Sequence, residues 1–295
     1  MITVLKNDRG FCIHIFFTLF LLLSCSQRNN AGEGSSQPVG GEPQPAGVSA
    51  SGAATGVEGG LILTNVLERI LGLAEIPGDI TAEILDAAHE GPGFILDLLS
   101  CLDGDPYLRV LVDKNHALPG DYAPQDLVTL SGGSYLVSRN GLLLRRAAAE
   151  SLEEMAAAAL AEGIRLTASS CYRTYDYQRD VYARIVRELG QAEADRVSAP
   201  PGHSQHQLGL VVDFGSIDDS FAETPQGRWM AVNAGRFGWS LSYPRDYEAL
   251  TGYRWESWHY RYVGRDLASF IETYFRGIQQ YALRFIYEWE KAGGL

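Results

Sequence analysis

One stretch constrains this chain more than any other: Pro200-Pro201-Gly202-His203-Ser204-Gln205-His206-Gln207-Leu208-Gly209-Leu210-Val211-Val212-Asp213-Phe214. It sets imidazoles in a loop punctuated by Pro and Gly, then runs through a β-type apolar segment that ends in a single carboxylate. Burying such a carboxylate is costly unless something pairs with it. A second segment, Trp255-Glu256-Ser257-Trp258-His259-Tyr260, has strand-like aromatic composition and adds an imidazole with a Glu three residues before it. Two readings stand. In one, His206, Asp213 and His259 form a two-imidazole, one-carboxylate set, which is what catalytic zinc takes: three protein ligands and one open position. Gly209 would let the backbone turn into the strand and aim His206 and Asp213 at one point. Glu256 would face the open position if the chain turns at Ser257. In the other reading Asp213 caps a turn, His206 is a solvated loop residue, and His259 packs among aromatics. Spacing alone leaves both open.

Ser204 to Asp213 follows the pattern S-x-H-x-x-G-x-x-x-D and resembles the signature of the VanY-like D-alanyl-D-alanine carboxypeptidases. Glu256-Ser257-Trp258-His259 resembles their E-x-W-H, followed by Arg261-Tyr262-Val263-Gly264. Ser170-Cys171-Tyr172-Arg173-Thr174 resembles their S-G-Y-R-S. Leu111-Val112-Asp113-Lys114, Leu118-Pro119 and Tyr122-Ala123-Pro124 resemble the entry segment, so the similarity covers residues 107 to 265 with four motifs in the family's order. Cys171 stands where Gly is usual, Gln205 where an acid is common, and Ser257 where Pro is common. None of these is a ligand position.

The resemblance implies an α+β fold, a small antiparallel sheet with flanking helices like the hedgehog/DD-peptidase zinc domains. It further implies a zinc carboxypeptidase that trims the terminal D-alanine from peptidoglycan stem peptides. His206, Asp213 and His259 would hold Zn²⁺, Glu256 would act as general base, and Arg173 would bind the peptide carbonyl or hold the developing oxyanion. Tyr172, Gln178 and Ser204 would bind substrate. His203 is not a ligand position in the family. The same resemblance admits an LD-carboxypeptidase, an endopeptidase cutting within the stem, or a non-catalytic zinc-containing wall-binding domain. The presence of Glu256 speaks against the last, because a structural site needs no base.

Along the chain, residues 1–25 carry Lys6 and Arg9, an apolar run from Phe11 to Leu23, and then Leu22-Leu23-Ser24-Cys25. This is a basic region and an apolar core too short for a confident membrane span. It resembles a bacterial lipoprotein signal with Cys25 as the lipidated residue, so export and a membrane anchor through the lipid are expected. An ordinary signal peptide that removes Cys25 and a short membrane anchor are the alternatives, and all of them export the chain. Residues 26–60 are rich in Gly, Ser, Pro and Ala with few large apolar side chains and read as a flexible tether. Residues 61–105 hold three segments with apolar residues at helical spacing, Leu61 to Leu73, Thr81 to His89 and Phe94 to Leu102, broken at Pro77-Gly78 and Gly91-Pro92-Gly93. They read as a helical appendage to a zinc domain over 106–295.

Within that domain a helix is expected over Leu142 to Glu162, then a strand around Ile164 to Ala168 that delivers Ser170 to Arg173. A helix from Tyr175 to Leu189 should stop at Gly190, with further elements over Gln226 to Ala234 and Trp239 to Tyr243. The tail, Arg265 to Lys291, reads as one long helix with Phe270, Tyr274, Ile278, Tyr281, Phe285 and Trp289 along one face, a stripe suited to packing. A formal charge of −12 argues against nucleic acid as a partner. Besides Cys25, an exported chain would keep Cys101 and Cys171, whose pairing an oxidising compartment would permit. His89 and His116 have no ligand-type neighbours in sequence and read as surface residues.

Overall fold

The computed structural model describes residues 51–294. The expected signal, Cys25 and most of the tether therefore lie outside the described residues. In chain order the helices are α1 (Ser51–Leu73), α2 (Gly78–Glu90), α3 (Gly93–Asp103), α4 (Arg146–Ala161), α5 (Tyr175–Leu189), α6 (Gln191–Val197), α7 (Pro225–Asn233), α8 (Glu248–Thr251), α9 (Arg265–Tyr274) and α10 (Gln279–Lys291). The strands are β1 (Leu127–Thr129), β2 (Leu136–Val137), β3 (Leu143–Arg145), β4 (Thr167–Ser170), β5 (Val211–Phe214), β6 (Trp239–Leu241) and β7 (His259–Tyr262). Among the described residues no helix is long and apolar enough to cross a membrane.

Five strands form one sheet in the order β2-β4-β5-β7-β6, antiparallel throughout except for the β2–β4 pair. β5 is its middle strand, and all four of its residues are buried, which suits its apolar Val211, Val212 and Phe214 and leaves Asp213 as a buried carboxylate. β1 and β3 pair separately. One hydrophobic core lies between this sheet and α4, which contributes Ala148, Leu152, Met155 and Ala159 at helical spacing. A second core joins α1, α2 and α3 to α9 and α10, so the N-terminal helices and the C-terminal helices share their apolar faces. Its centre is aromatic: Phe94 meets Tyr274 edge-on at 4.9 Å and packs on Phe270 and Phe285, which in turn hold Phe275.

Three expectations are corrected. The helix expected from Leu142 starts at Arg146, because Leu143–Arg145 are drawn into a ladder with Leu127–Thr129. The long tail helix is two helices: Arg276 and Gly277 both have positive φ (51° and 75°), a left-handed turn that ends α9 and re-aims the chain into α10. The tether expected to reach residue 60 is entered by α1 from Ser51, since adding residues to an already packed helix costs far less than nucleating one.

Cys101 sits in the second core and Cys171 in the first, both buried as free thiols. His116 is more than a surface residue: its Nδ1 lies 2.8 Å from Oδ1 of the buried Asp113, and its ring packs on Tyr287 at 4.7 Å.

Candidate metal centre and active site

Strand register brings the site together. Asp213 on β5 pairs directly with His259 on β7 and with Ser170 on β4, so the carboxylate, one imidazole and the loop after β4 meet on one face of the sheet. His206 arrives from a single 3₁₀ turn, Gln205–Leu208. Ser204 starts that turn, its Oγ accepting from the His206 amide at 3.3 Å. Gly209 ends it in the left-handed region (φ 68°), where an added Cβ would stand 3.0 Å from Leu127 and 3.1 Å from Arg145. Only glycine fits both the torsion and the space.

His206, Asp213 and His259 are each at most 3 % exposed, and their donor atoms lie within 4.8 Å of one another. Each ring has one nitrogen committed elsewhere. His206 Nδ1 donates to the Cys171 carbonyl (2.6 Å), which leaves Nε2 as a bare lone pair 3.2 Å from Asp213 Oδ2. His259 Nε2 faces Gln205 Oε1 (3.3 Å), leaving Nδ1 3.1 Å from Asp213 Oδ1. Asp213 Oδ1 is buried with no hydrogen-bond donor. Two imidazole lone pairs thus converge on the Asp213 carboxylate, whose Oδ2 accepts from Arg173 and whose Oδ1 has no donor, an arrangement that a cation at the centre would complete. Two imidazoles and one carboxylate are a zinc donor set, and the outward hydrogen bonds on both rings are the kind that orient metal ligands.

The electrostatics agree. Burial, with Arg173 adding to it, pushes His206 down to about 4, so the ring is neutral and can ligate. Burial would raise the Asp213 carboxyl, but the charge and hydrogen bonds that His206 and His259 offer it when protonated hold the group well below the usual carboxylate range, a role that a cation at the centre would take over from neutral rings. Glu256 stands at the edge of the cluster with Oε2 3.4 Å from His259 Nδ1, and burial followed by the Asp213 charge pushes it up to about 8. The chain does turn there: the His259 amide donates back to the Glu256 carbonyl (3.2 Å).

Arg173 leaves the end of β4 and reaches Asp213 Oδ2 (3.0 Å) and Ser170 Oγ (2.9 Å), with 20 % of its side chain exposed. Gln178 is buried beneath it, accepting from Arg173 Nη1 (3.3 Å) while its own amide donates to the Ala199 carbonyl (2.8 Å). A groove of about 490 Å³ opens over the cluster and is lined by Arg173, Gln178 and Ser204 as well as His206, Asp213, His259 and Glu256. Tyr172 is not among its lining residues; that residue's amide is held by the Leu143 carbonyl of β3 (3.0 Å). His203 turns away to the Asp113 carbonyl (2.7 Å). Sequence reasoning missed Tyr243, whose ring lies 4.7 Å from that of His259, and Arg139, Arg184 and Arg254 on the groove wall. These four belong to no recognisable spacing and converge only through the fold.

The family model for VanY, D-alanyl-D-alanine carboxypeptidase, matches residues 141–265. The chain is 35% identical over 193 residues to YodJ, a carboxypeptidase-type protein of Bacillus subtilis (strain 168), covering 63% of this chain and 71% of that one. Among solved structures it is similar to the LD-carboxypeptidase LdcB (36% identity, 57% of this chain and 85% of that one, TM-score 0.52). It is similar as well to the D,D-pentapeptidase VanY of a VanB-type resistance cassette, solved with Zn(II) (31% identity, 60% of this chain and 98% of that one, TM-score 0.51). With the His206, Asp213 and His259 cluster, the flanking carboxylate and these matches taken together, the chain belongs to the VanY family of D-alanyl-D-alanine carboxypeptidases.

Proposed function

We propose that this protein is a zinc-dependent carboxypeptidase that removes the terminal D-alanine from peptidoglycan stem peptides. The observation that carries the reading is Glu256, set 3.4 Å from a ligand nitrogen yet outside the three-residue donor set. When bound, zinc supplies Lewis acidity toward the scissile carbonyl and the attacking water. Glu256 accepts the water's proton as the water oxygen bonds to the carbonyl carbon, and returns it to the leaving amine as the C–N bond breaks. Arg173, tethered by Asp213, Ser170 and Gln178, directs fixed positive charge at the carbonyl oxygen where negative charge develops. Arg139 lines the groove with no ion pair among the described residues and offers a guanidinium to a peptide that ends in a carboxylate, whereas Arg184 and Arg254 on the same wall are paired with Glu188 and Asp219.

A second reading, LD-cleavage of the tetrapeptide stem, is favoured by the similarity to LdcB. Export and anchoring through a lipidated Cys25 rest on Leu22-Leu23-Ser24-Cys25 and on the tether that follows, which would let the domain reach wall substrate away from the membrane. Incubating the purified protein with pentapeptide and tetrapeptide stems and reading the product masses tests the reading. One alanine should leave the pentapeptide. Loss from the tetrapeptide alone would transfer the assignment to LD-cleavage, and loss from neither would sink the enzyme.

A further inference from the structure

α10 begins with two consecutive glutamines, Gln279 and Gln280, that are 1 % and 4 % exposed, although a helix in this position needs only its apolar face buried. Gln280 donates to Asp113 Oδ2 (2.7 Å). Gln279 points the other way, toward the metal centre, and lies outside the residues that the family model matches. Its Nε2 donates to the Ser240 carbonyl (3.2 Å). A backbone carbonyl can only accept, so this contact fixes which end of the Gln279 amide is which, and its Oε1 must face Gln205.

The polarity then propagates. Gln279 Oε1 accepts from Gln205 Nε2 (3.4 Å), which turns Gln205 Oε1 toward His259. Ser242 is compatible with this orientation, its hydroxyl lying 2.7 Å from Gln205 Oε1 and 3.3 Å from Gln279 Oε1. With an acceptor opposite it at 3.3 Å, His259 Nε2 carries the proton and Nδ1 is left as the lone pair facing Asp213. All of these side chains are buried, so water does not offer the amide an alternative partner.

Gln205 is the reason the device is needed. Where the resembled family commonly has an acid at this position, either carboxylate oxygen accepts and neither orientation is wrong. An amide has a wrong way round, with its NH₂ against the imidazole N–H, and that orientation would favour the His259 tautomer that cannot ligate through Nδ1. We propose that Gln279 is a positioning residue for the metal centre: by fixing the amide of Gln205 it fixes the tautomer of His259, and so ties the C-terminal helix to zinc affinity. This rests on His259 being a metal ligand.

The test uses the intact protein as wild type, Gln279→Leu, and Gln205→Glu combined with Gln279→Leu. Zinc affinity is read by competition with a chromophoric chelator, and the imidazole tautomers of the zinc-free protein by long-range ¹H–¹⁵N correlation. Loss of a residue that orients a metal ligand typically costs roughly 10- to 100-fold in affinity, so Gln279→Leu should weaken zinc by that factor and give His259 a mixed tautomer. The double variant should recover most of the affinity, because a carboxylate needs no orienting. A structural role for Gln279 would not be rescued by a change at residue 205. Zinc affinity and tautomer unchanged in Gln279→Leu, or no recovery in the double variant, overturns the inference while leaving the metal site standing. Should Gln279→Leu fail to fold, the wild-type spectrum decides: a zinc-free His259 protonated at Nδ1 contradicts the proposal, and one protonated at Nε2 supports it. A wild-type protein that takes up no zinc overturns this inference together with the reading beneath it.

Discussion

Glu256→Gln should make the zinc-free protein more stable at alkaline pH while nearly abolishing its activity. In the folded, metal-free chain the carboxyl is raised from an ordinary value of 4.5 to about 8, by burial first and by Asp213 second. The folded state therefore binds the proton more tightly than the unfolded state. The stability that goes with this group is fully present below about pH 4.5 and is lost as pH rises through about 8. At about 1.4 kcal/mol per pKa unit the loss would reach about 5 kcal/mol. Groove water touches 14 % of the side chain and screens part of that, so about 2–4 kcal/mol is expected. Glutamine keeps the shape and has no charge to bury. In thermal unfolding of chelator-treated protein, the two proteins should agree at pH 5, and at pH 9 the variant should melt higher by roughly 2–4 °C for each kcal/mol. With zinc restored, turnover should fall roughly 10²- to 10⁴-fold, the usual worth of a general base. Parallel stability profiles from pH 5 to 9 would show that Glu256 is not held in a charge-disfavouring site, and the account of its proton affinity would be wrong.

Other outcomes follow from the same geometry. His206→Ala and His259→Ala should each lose bound zinc by elemental analysis and lose turnover with it; undiminished zinc in both would refute the ligand set. Gly209→Ala places a side chain at φ 68° against Leu127, Arg145 and Pro124, and should cost roughly 1–3 kcal/mol in chemical denaturation; a change within about 0.5 kcal/mol would show that the loop relaxes freely. Cys25→Ser should abolish metabolic lipid labelling of the full-length protein, and labelling that persists would remove the anchor.

Much of the site was legible because its residues sit in short segments with local meaning. The seven-residue step from His206 to Asp213 is one turn, one left-handed glycine and one strand, and that step reads directly from sequence. The partner His259 could be assigned only through motif order, since nothing in its own segment announces that β7 pairs with β5 at Asp213. The break between α9 and α10 was hidden because Phe270, Tyr274, Ile278 and Tyr281 keep helical spacing across it, while the turn at Gly277 sends both helices into the same aromatic core. β3 was read as helix for a similar reason: Leu143 and Leu144 suit either element until β1 supplies a ladder. Gln279, Tyr243 and the groove arginines were invisible, because their meaning lies in contacts made across the fold.

The most direct test is to strip the protein of metal, titrate zinc back, and follow release of D-alanine from a stem pentapeptide by mass. Turnover should be absent in the stripped protein, rise in proportion to added zinc, saturate near one zinc per chain, and shorten the peptide by a single alanine. Full turnover without metal, or stoichiometric zinc binding with no alanine released, would contradict the claim that His206, Asp213 and His259 build a catalytic centre.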